Sequence, residues 1–237
     1  NIVDGESEEF GISEKDVLSG LGWIKCKDIR LPESIRAIGY SALSYVETRT
    51  VRIPDTVESI GIGAFAHSCV SEMDIPSTVK SMGRFVFWDC QQLRRISLPE
   101  MKEIPFGAFS GCALEQVHIP EGVEIIGDGA FEGCRMLSEL TLPRSLKKIG
   151  MSAFVSCESL KSLTVPEGIA EISEYAFGDN FLKSPLKELH YKAKEPCWIY
   201  GVTVVAGVED CVLYVPRSSL SRFEVSGNWG FKDVVGE

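Results

Sequence analysis

Seven prolines fall at Pro32, Pro54, Pro76, Pro99, Pro120, Pro143 and Pro166, spaced by 22, 22, 23, 21, 23 and 23 residues. A period near 22 marks an internal repeat, and a repeat constrains the architecture before any local motif does. Each proline closes a short apolar alternation: Ile29 and Leu31, Val51 and Ile53, Met73 and Ile75, Ile96 and Leu98, Val117 and Ile119, Leu140 and Leu142, Leu163 and Val165. These read as short strands, stopped by a residue that cannot donate to a ladder. After the proline an apolar residue recurs at the third position (Ile35, Val57, Val79, Val123, Leu146, Ile169), and another three further on (Ile38, Ile60, Met82, Ile126, Ile149, Ile172). Glycine follows, then Ala-Phe, so that Phe65, Phe87, Phe109, Phe131, Phe154 and Phe177 share one slot and take six of the 12 phenylalanines. Three residues later comes Cys90, Cys112, Cys134 or Cys157, with Cys69 one residue late.

A unit of about 22 residues cannot bury its own apolar side, but stacking like positions on like positions makes continuous ladders of Phe, Ile, Val and Cys. The period excludes helical-repeat arrays, whose units run to about 33 residues or more. The expectation is an α/β repeat solenoid of the leucine-rich-repeat kind, a right-handed superhelix with one short parallel strand per coil of about 22 residues. Composition narrows the function. With 24 Lys and Arg against 34 Asp and Glu, the 237-residue chain has a formal net charge of −10. That acidity argues against nucleic acid as a partner, since such binding rests on clustered cations that neutralise phosphates. No apolar run approaches the roughly 18 residues of a membrane span, so membrane insertion is not expected.

The repeat unit L-x-x-(I/V/L)-x-(I/L)-P-x-x-(V/I)-x-x-I-G-x-x-A-F-x-x-C resembles the BspA-like, Treponema pallidum type leucine-rich repeat of bacterial surface proteins. The likeness covers residues 26–191, about seven coils. Residues 192–237, with Leu213-Tyr214-Val215-Pro216 and then Phe223, Trp229 and Phe231, are similar to the segment that closes such arrays: a C-terminal cap with one further strand over 211–215. Residues 1–25 read as an N-terminal cap, in which Val17, Leu18, Leu21 and Trp23 have a spacing that fits a short helix. Three departures stand out: Pro105 in a glycine slot, Met101 in the 21-residue coil, and an insertion through Pro185; such deviations are assigned to loops.

Several features invite chemical readings that the repeat absorbs. Gly61-Ile62-Gly63 fits a loose dinucleotide fingerprint, but it lies in register with Gly39, Gly83, Gly127 and Gly150 and no βαβ unit surrounds it. The glycine after the Ile slot is expected to serve a tight turn at positive φ. The ladder cysteines read as buried, reduced thiols, since their slot also accepts Val46 and Asn180; Cys197 and Cys211 are the one pair considered for a bridge, and Cys26 has no evident partner. Zinc is disfavoured because these cysteines stand a coil apart. His118 and His190 fall three coils apart, too far for a shared metal or proton relay, and His67 falls on a loop. Paired carboxylates such as Glu72, Asp74 and Glu139 would project from an open face with no pocket to shift them. No enzyme activity, cofactor or metal is expected.

Recognition then falls to the outward residues of the strands: Arg52, Glu72, Asp74, Arg95, Gln116, His118, Glu139, Thr141, Thr164, Glu188 and His190. The set is polar and mixed in sign, without an aromatic row. A second candidate is aromatic: Phe85 occupies the slot of Gly63, Gly107, Gly129 and Ser152, and Trp88 that of Ala66, Ser110 and Glu132, so both are expected to mark a contact patch or to cover a local gap. The resemblance implies a non-enzymatic adhesion domain, extracellular or on the cell surface. Its partners would be host matrix or cell-surface proteins or other bacterial surface proteins, with glycans a further possibility; the alternative is a structural spacer in a larger surface protein.

Overall fold

In the computed structural model the described residues are 17–18, 25, 28–178, 184–196, 207–225 and 231–237. Every strand pair among them is parallel. The strands before the prolines form one stack: β2 (Asp28–Arg30), β4 (Thr50–Arg52), β6 (Glu72–Asp74), β8 (Arg95–Ser97), β10 (Gln116–His118), β12 (Glu139–Thr141), β14 (Ser162–Val165) and β16 (Glu188–Tyr191). Beyond them lie β17 (Val212–Val215) and β18 (Asp233–Gly236).

Each repeat coil also carries a second strand of two residues, which the sequence reading did not place. These are β1 (Val17–Leu18), β3 (Ala37–Ile38), β5 (Ser59–Ile60), β7 (Ser81–Met82), β9 (Glu103–Ile104), β11 (Ile125–Ile126), β13 (Lys148–Ile149) and β15 (Glu171–Ile172). The chain turns between the two strands through a bond onto the proline carbonyl, as from Val57 N to Pro54 O at 3.1 Å and Val79 N to Pro76 O at 3.0 Å. Proline's fixed φ suits that tight turn. The solenoid is thus as expected, with two stacks of parallel strands per coil in place of one; the long strands are hydrogen-bonded as β2–β4, β6–β8, β10–β12 and β14–β16–β17–β18, and among the described residues there is little helix, α1 (Leu220–Val225) following a 3-10 turn near the C-terminal end.

The apolar slots point inward from both ladders and meet the phenylalanine column. Successive rings of Phe65, Phe87, Phe109, Phe131, Phe154 and Phe177 stack with centroids 5.0 to 6.1 Å apart, all fully buried. Each such ring contributes roughly 1.5–3 kcal/mol of burial, repeated coil after coil. The cysteine slot closes the column from below. The Cys90, Cys112, Cys134 and Cys157 thiols donate to the carbonyls of Phe65, Phe87, Phe109 and Phe131 one coil earlier, at 3.0 to 3.2 Å. They are free thiols in a dry core, and burial pushes Cys134 up to about 12.

The glycine expectation is corrected. Gly61, Gly83, Gly127 and Gly150 are not among the positive-φ residues. They are required because the coils approach too closely for a side chain: a Cβ on Gly83 would lie 2.3 Å from the Ile62 nitrogen, and one on Gly150 2.5 Å from the Asp128 nitrogen. Within the repeat, positive φ recurs at two other slots, one holding Ser41, Gly63, Phe85, Gly107, Gly129, Ser152 and Tyr175 and the other Tyr45, His67, Asp89, Gly111, Gly133 and Ser156, with Gly122 and Gly207 outside them.

The two ends also differ from expectation. Val17–Leu18 pairs with Ala37–Ile38 as a strand instead of entering a helix, because the segment lies nearly one coil upstream and extends the short-strand ladder. At the other end β18 adds a strand beyond β17, and Phe223 and Phe231 are buried as closing residues. Trp229, Cys26 and Cys197 lie outside the described residues; Cys211 is a free thiol.

Candidate functional site

Alternation along the long strands places the first candidate set. In β4, β6 and β10 the middle residue is buried and its two neighbours are exposed, so Arg52, Glu72, Asp74, Gln116 and His118 share one open face. Arg95, Glu139, Thr141, Thr164 and Glu188 are exposed on the same face. The register sets Glu72 beside Arg95, Gln116 beside Glu139 and His118 beside Thr141. Within this set Arg95 and Glu72 form an ion pair, and Arg94 bonds Glu115 at its margin. Among the described residues Arg52, Asp74, His118 and Glu139 make no ion pair.

His190 departs from the set. Its ring is half-buried, stacked on Tyr214 at 4.6 Å, with Nδ1 3.1 Å from the Glu237 carboxylate. Glu237 also pairs with Lys192, and that ammonium first, then His190, holds its carboxyl below the usual range. His190 is therefore engaged in closing the C-terminal end. Tyr214 is its register partner on the next strand, Glu188 lies 3.6 Å from its Nε2, and only Glu237, 47 residues downstream, could not be placed from the repeat.

Charges beside the short strands behave differently. Arg36 pairs with Glu58, Lys102 with Glu124 at 2.7 Å, and Lys148 with Glu171 at 2.8 Å, each across to the next coil. The lysine hydrogen bonds lower the carboxyl pKa of Glu124 and Glu171.

The aromatic candidates lie on the turn edge between the short strands and the phenylalanine column. Trp88 is 43% exposed and Phe85 is half-buried. They belong to a larger cluster than the sequence reading identified. Tyr45 stacks on His67 at 4.6 Å, His67 meets Trp88 edge-on at 4.6 Å, and Phe85 touches Trp88 at 5.7 Å and Phe106 at 4.9 Å. The His67 Nδ1 is 3.0 Å from the Asp89 carboxylate. The slot comparison that singled out Phe85 would also have found Phe106, whose equivalents are Ile62, Arg84 and Asp128.

Among the described residues no group of three or more His, Cys, Asp or Glu stands close enough to hold a metal ion. No helix among them is long and apolar enough to cross a membrane.

Comparison with known proteins agrees with this geometry. The sequence profile of the BspA type leucine rich repeat region matches in six copies, over residues 22–104 and 102–190. A leucine-rich repeat protein from Eubacterium ventriosum aligns at 28% identity and a TM-score of 0.64, covering 69% of this chain and 46% of its own length. A leucine-rich repeat protein from Bacteroides ovatus aligns at 21% identity and a TM-score of 0.58, covering 88% of this chain and 72% of its own length. The chain thus spans just under half of the first of these proteins. No curated protein matches the sequence.

Proposed function

Since the chain belongs to the BspA type leucine-rich repeat family, we propose that it is a non-enzymatic protein-interaction domain of a secreted or cell-surface bacterial protein. Its partners are host matrix or cell-surface proteins, or surface proteins of other bacteria. One observation carries this reading: the long-strand face is open and, apart from the Arg95–Glu72 and Glu188–His190 pairs, bears Arg52, Asp74 and Glu139 without ion-pair partners among the described residues, whereas Arg36, Lys102 and Lys148 beside the short strands each pair with a carboxylate of the next coil. Unpaired charges of both signs on a rigid surface steer a complementary partner and fix its register. Such a face suits an extended contact, as solenoids use their repeated surfaces.

A second reading, a spacer within a larger surface protein, draws on the chain's matching only 46% of the Eubacterium ventriosum protein. Binding to an array of purified extracellular-matrix proteins and bacterial surface proteins separates the two. The interaction reading expects specific binding that is lost when Arg52, Asp74, Arg95 and His118 are changed together to Ala in a variant that still folds. Binding to nothing on the array supports the spacer.

A further inference from the structure

The short-strand ladder is hydrogen-bonded from β1 through β7 and again from β9 through β15, but β7 and β9 are not paired. The sequence explains the seam. Pro99 precedes Ile104 by five positions, where Pro76 precedes Met82 and Pro120 precedes Ile126 by six. The next residue is Pro105, in a slot whose N–H elsewhere bonds the coil before it, as from Gly83 to Ile60 O at 2.7 Å and Gly127 to Ile104 O at 2.8 Å. Proline has no such hydrogen, so the Met82 carbonyl loses the donor its equivalents have. At this seam the surface opens into a cleft of about 650 Å³, lined among others by Met82, Arg84, Met101, Glu103, Phe106 and Asp128. That volume falls in the range of small-ligand clefts.

The lining has a specific character. Phe106 is 40% exposed and held edge-on by Phe85 at 4.9 Å, which fixes it as a flat apolar wall. Phe85 shares the positive-φ slot of Ser41, Gly63, Gly107, Gly129, Ser152 and Tyr175, so its backbone conformation belongs to the repeat and its bulk alone sets it apart. Arg84 and Glu103 make no ion pair among the described residues, while Lys102 and Lys148 are neutralised by Glu124 and Glu171. The remaining charges of Lys80 and Arg84 balance those of Glu103 and Asp128. Such a site offers donors, acceptors and a flat ring but no net charge.

We propose that this cleft binds a short neutral oligosaccharide. A pyranose presents a face of C–H groups, which packs on Phe106, and a rim of hydroxyls that both donate and accept. The Glu103 and Asp128 carboxylates and the Met82 carbonyl accept hydrogen bonds from the hydroxyls, and the Arg84 guanidinium donates to hydroxyl oxygens. The site lies away from the long-strand face and stands independently of the function read there.

The test is saturation-transfer NMR of the full chain with maltotriose, cellotriose, triacetylchitotriose and mannotriose, each titrated to obtain its affinity. At least one trisaccharide is expected to bind. Phe106→Ala and Arg84→Ala are each expected to weaken it about tenfold or more, and Asp55→Ala, at an exposed position outside both the cleft and the long-strand face, to leave it unchanged. Phe106→Leu, which keeps an apolar side chain but removes the flat ring, should weaken binding as well. Unchanged melting of the variants shows that the fold is intact. Saturation of none of the four sugars, or equal affinity in Phe106→Ala, overturns the proposal, as does loss of a protein ligand in that variant when no sugar binds.

Discussion

The long-strand face and the short-strand side rise from the same coils over the same phenylalanine column, yet they differ in how far charge is paired from coil to coil. Beside the short strands Arg36–Glu58, Lys102–Glu124 and Lys148–Glu171 neutralise one another from coil to coil. On the long-strand face Arg95 pairs with Glu72 but Arg52, Asp74 and Glu139 stay unpaired among the described residues, while on the short-strand side Arg84 and Glu103 at the β7–β9 seam are the exception. Backbone crowding differs in the same sense: the coils press closest just after the short strands, where only glycine fits at Gly83, Gly127 and Gly150. One side is spent on stacking. The other is left open to solvent and to a partner.

The largest expected effect tests what the two sides share. Phe109→Ala removes a fully buried ring from beneath both and should cost about 3–5 kcal/mol in denaturant unfolding. A cost below about 1 kcal/mol would mean that the column does not hold the coils together. Next comes the crowded side. Gly83→Ala forces a Cβ onto the Ile62 backbone and should reach or exceed the upper end of the ~1–3 kcal/mol range for overpacking. Gly129→Ala meets only the Glu132 side chain but sits at φ +60, and should cost about 1–2 kcal/mol. Thr141→Ala, on the open face, should change stability by less than about 0.5 kcal/mol. Equal losses at Gly83 and Gly129 would erase the distinction between close approach and backbone strain.

The charge contrast predicts smaller effects. A double-mutant cycle on Lys148 and Glu171 should give a coupling below about 0.5 kcal/mol, because both side chains are well exposed and screened. Smallest and most local is a pH effect at the C-terminal end. Glu237 has its pKa lowered from 4.5, chiefly by the Lys192 hydrogen bond and then by His190. Its stabilising contribution is therefore full above 4.5 and is lost as pH falls through the lowered value. Amide protection factors at Val234 and Val235 should hold down to pH 4.5 and fall as the pH is taken below it, while those of Val117 hold. A uniform fall across the chain would place the acid response elsewhere.

Much of this molecule is legible in its sequence because a repeat states each structural role several times. The proline-stopped strands, the Phe slot and the thiol slot follow from comparing coils. The short strands escaped because each has only two residues, with one inward, and so presents no alternation to read. The two kinds of glycine look identical as letters, and only the path of the preceding coil separates Gly83 from Gly129. Val17 and Leu18 fit a helix as well as a strand until their distance from Ala37–Ile38 is recognised as nearly a coil. The seam was visible as a 21-residue interval with Pro105, but a short coil reads as loop variation until the unpaired strands on either side are seen.

The most direct test of the central claim, that the long-strand face is kept free for recognition while the short-strand side serves stacking, compares two fourfold alanine variants. One changes Arg52, Asp74, His118 and Glu139; the other changes Arg36, Glu58, Lys102 and Glu124. Both are measured for melting and for binding to any protein captured by the parent on the array. The account predicts that the first variant melts like the parent and loses binding, while the second binds like the parent and melts slightly lower. Retained binding in the first variant, or lost binding in the second, would contradict it.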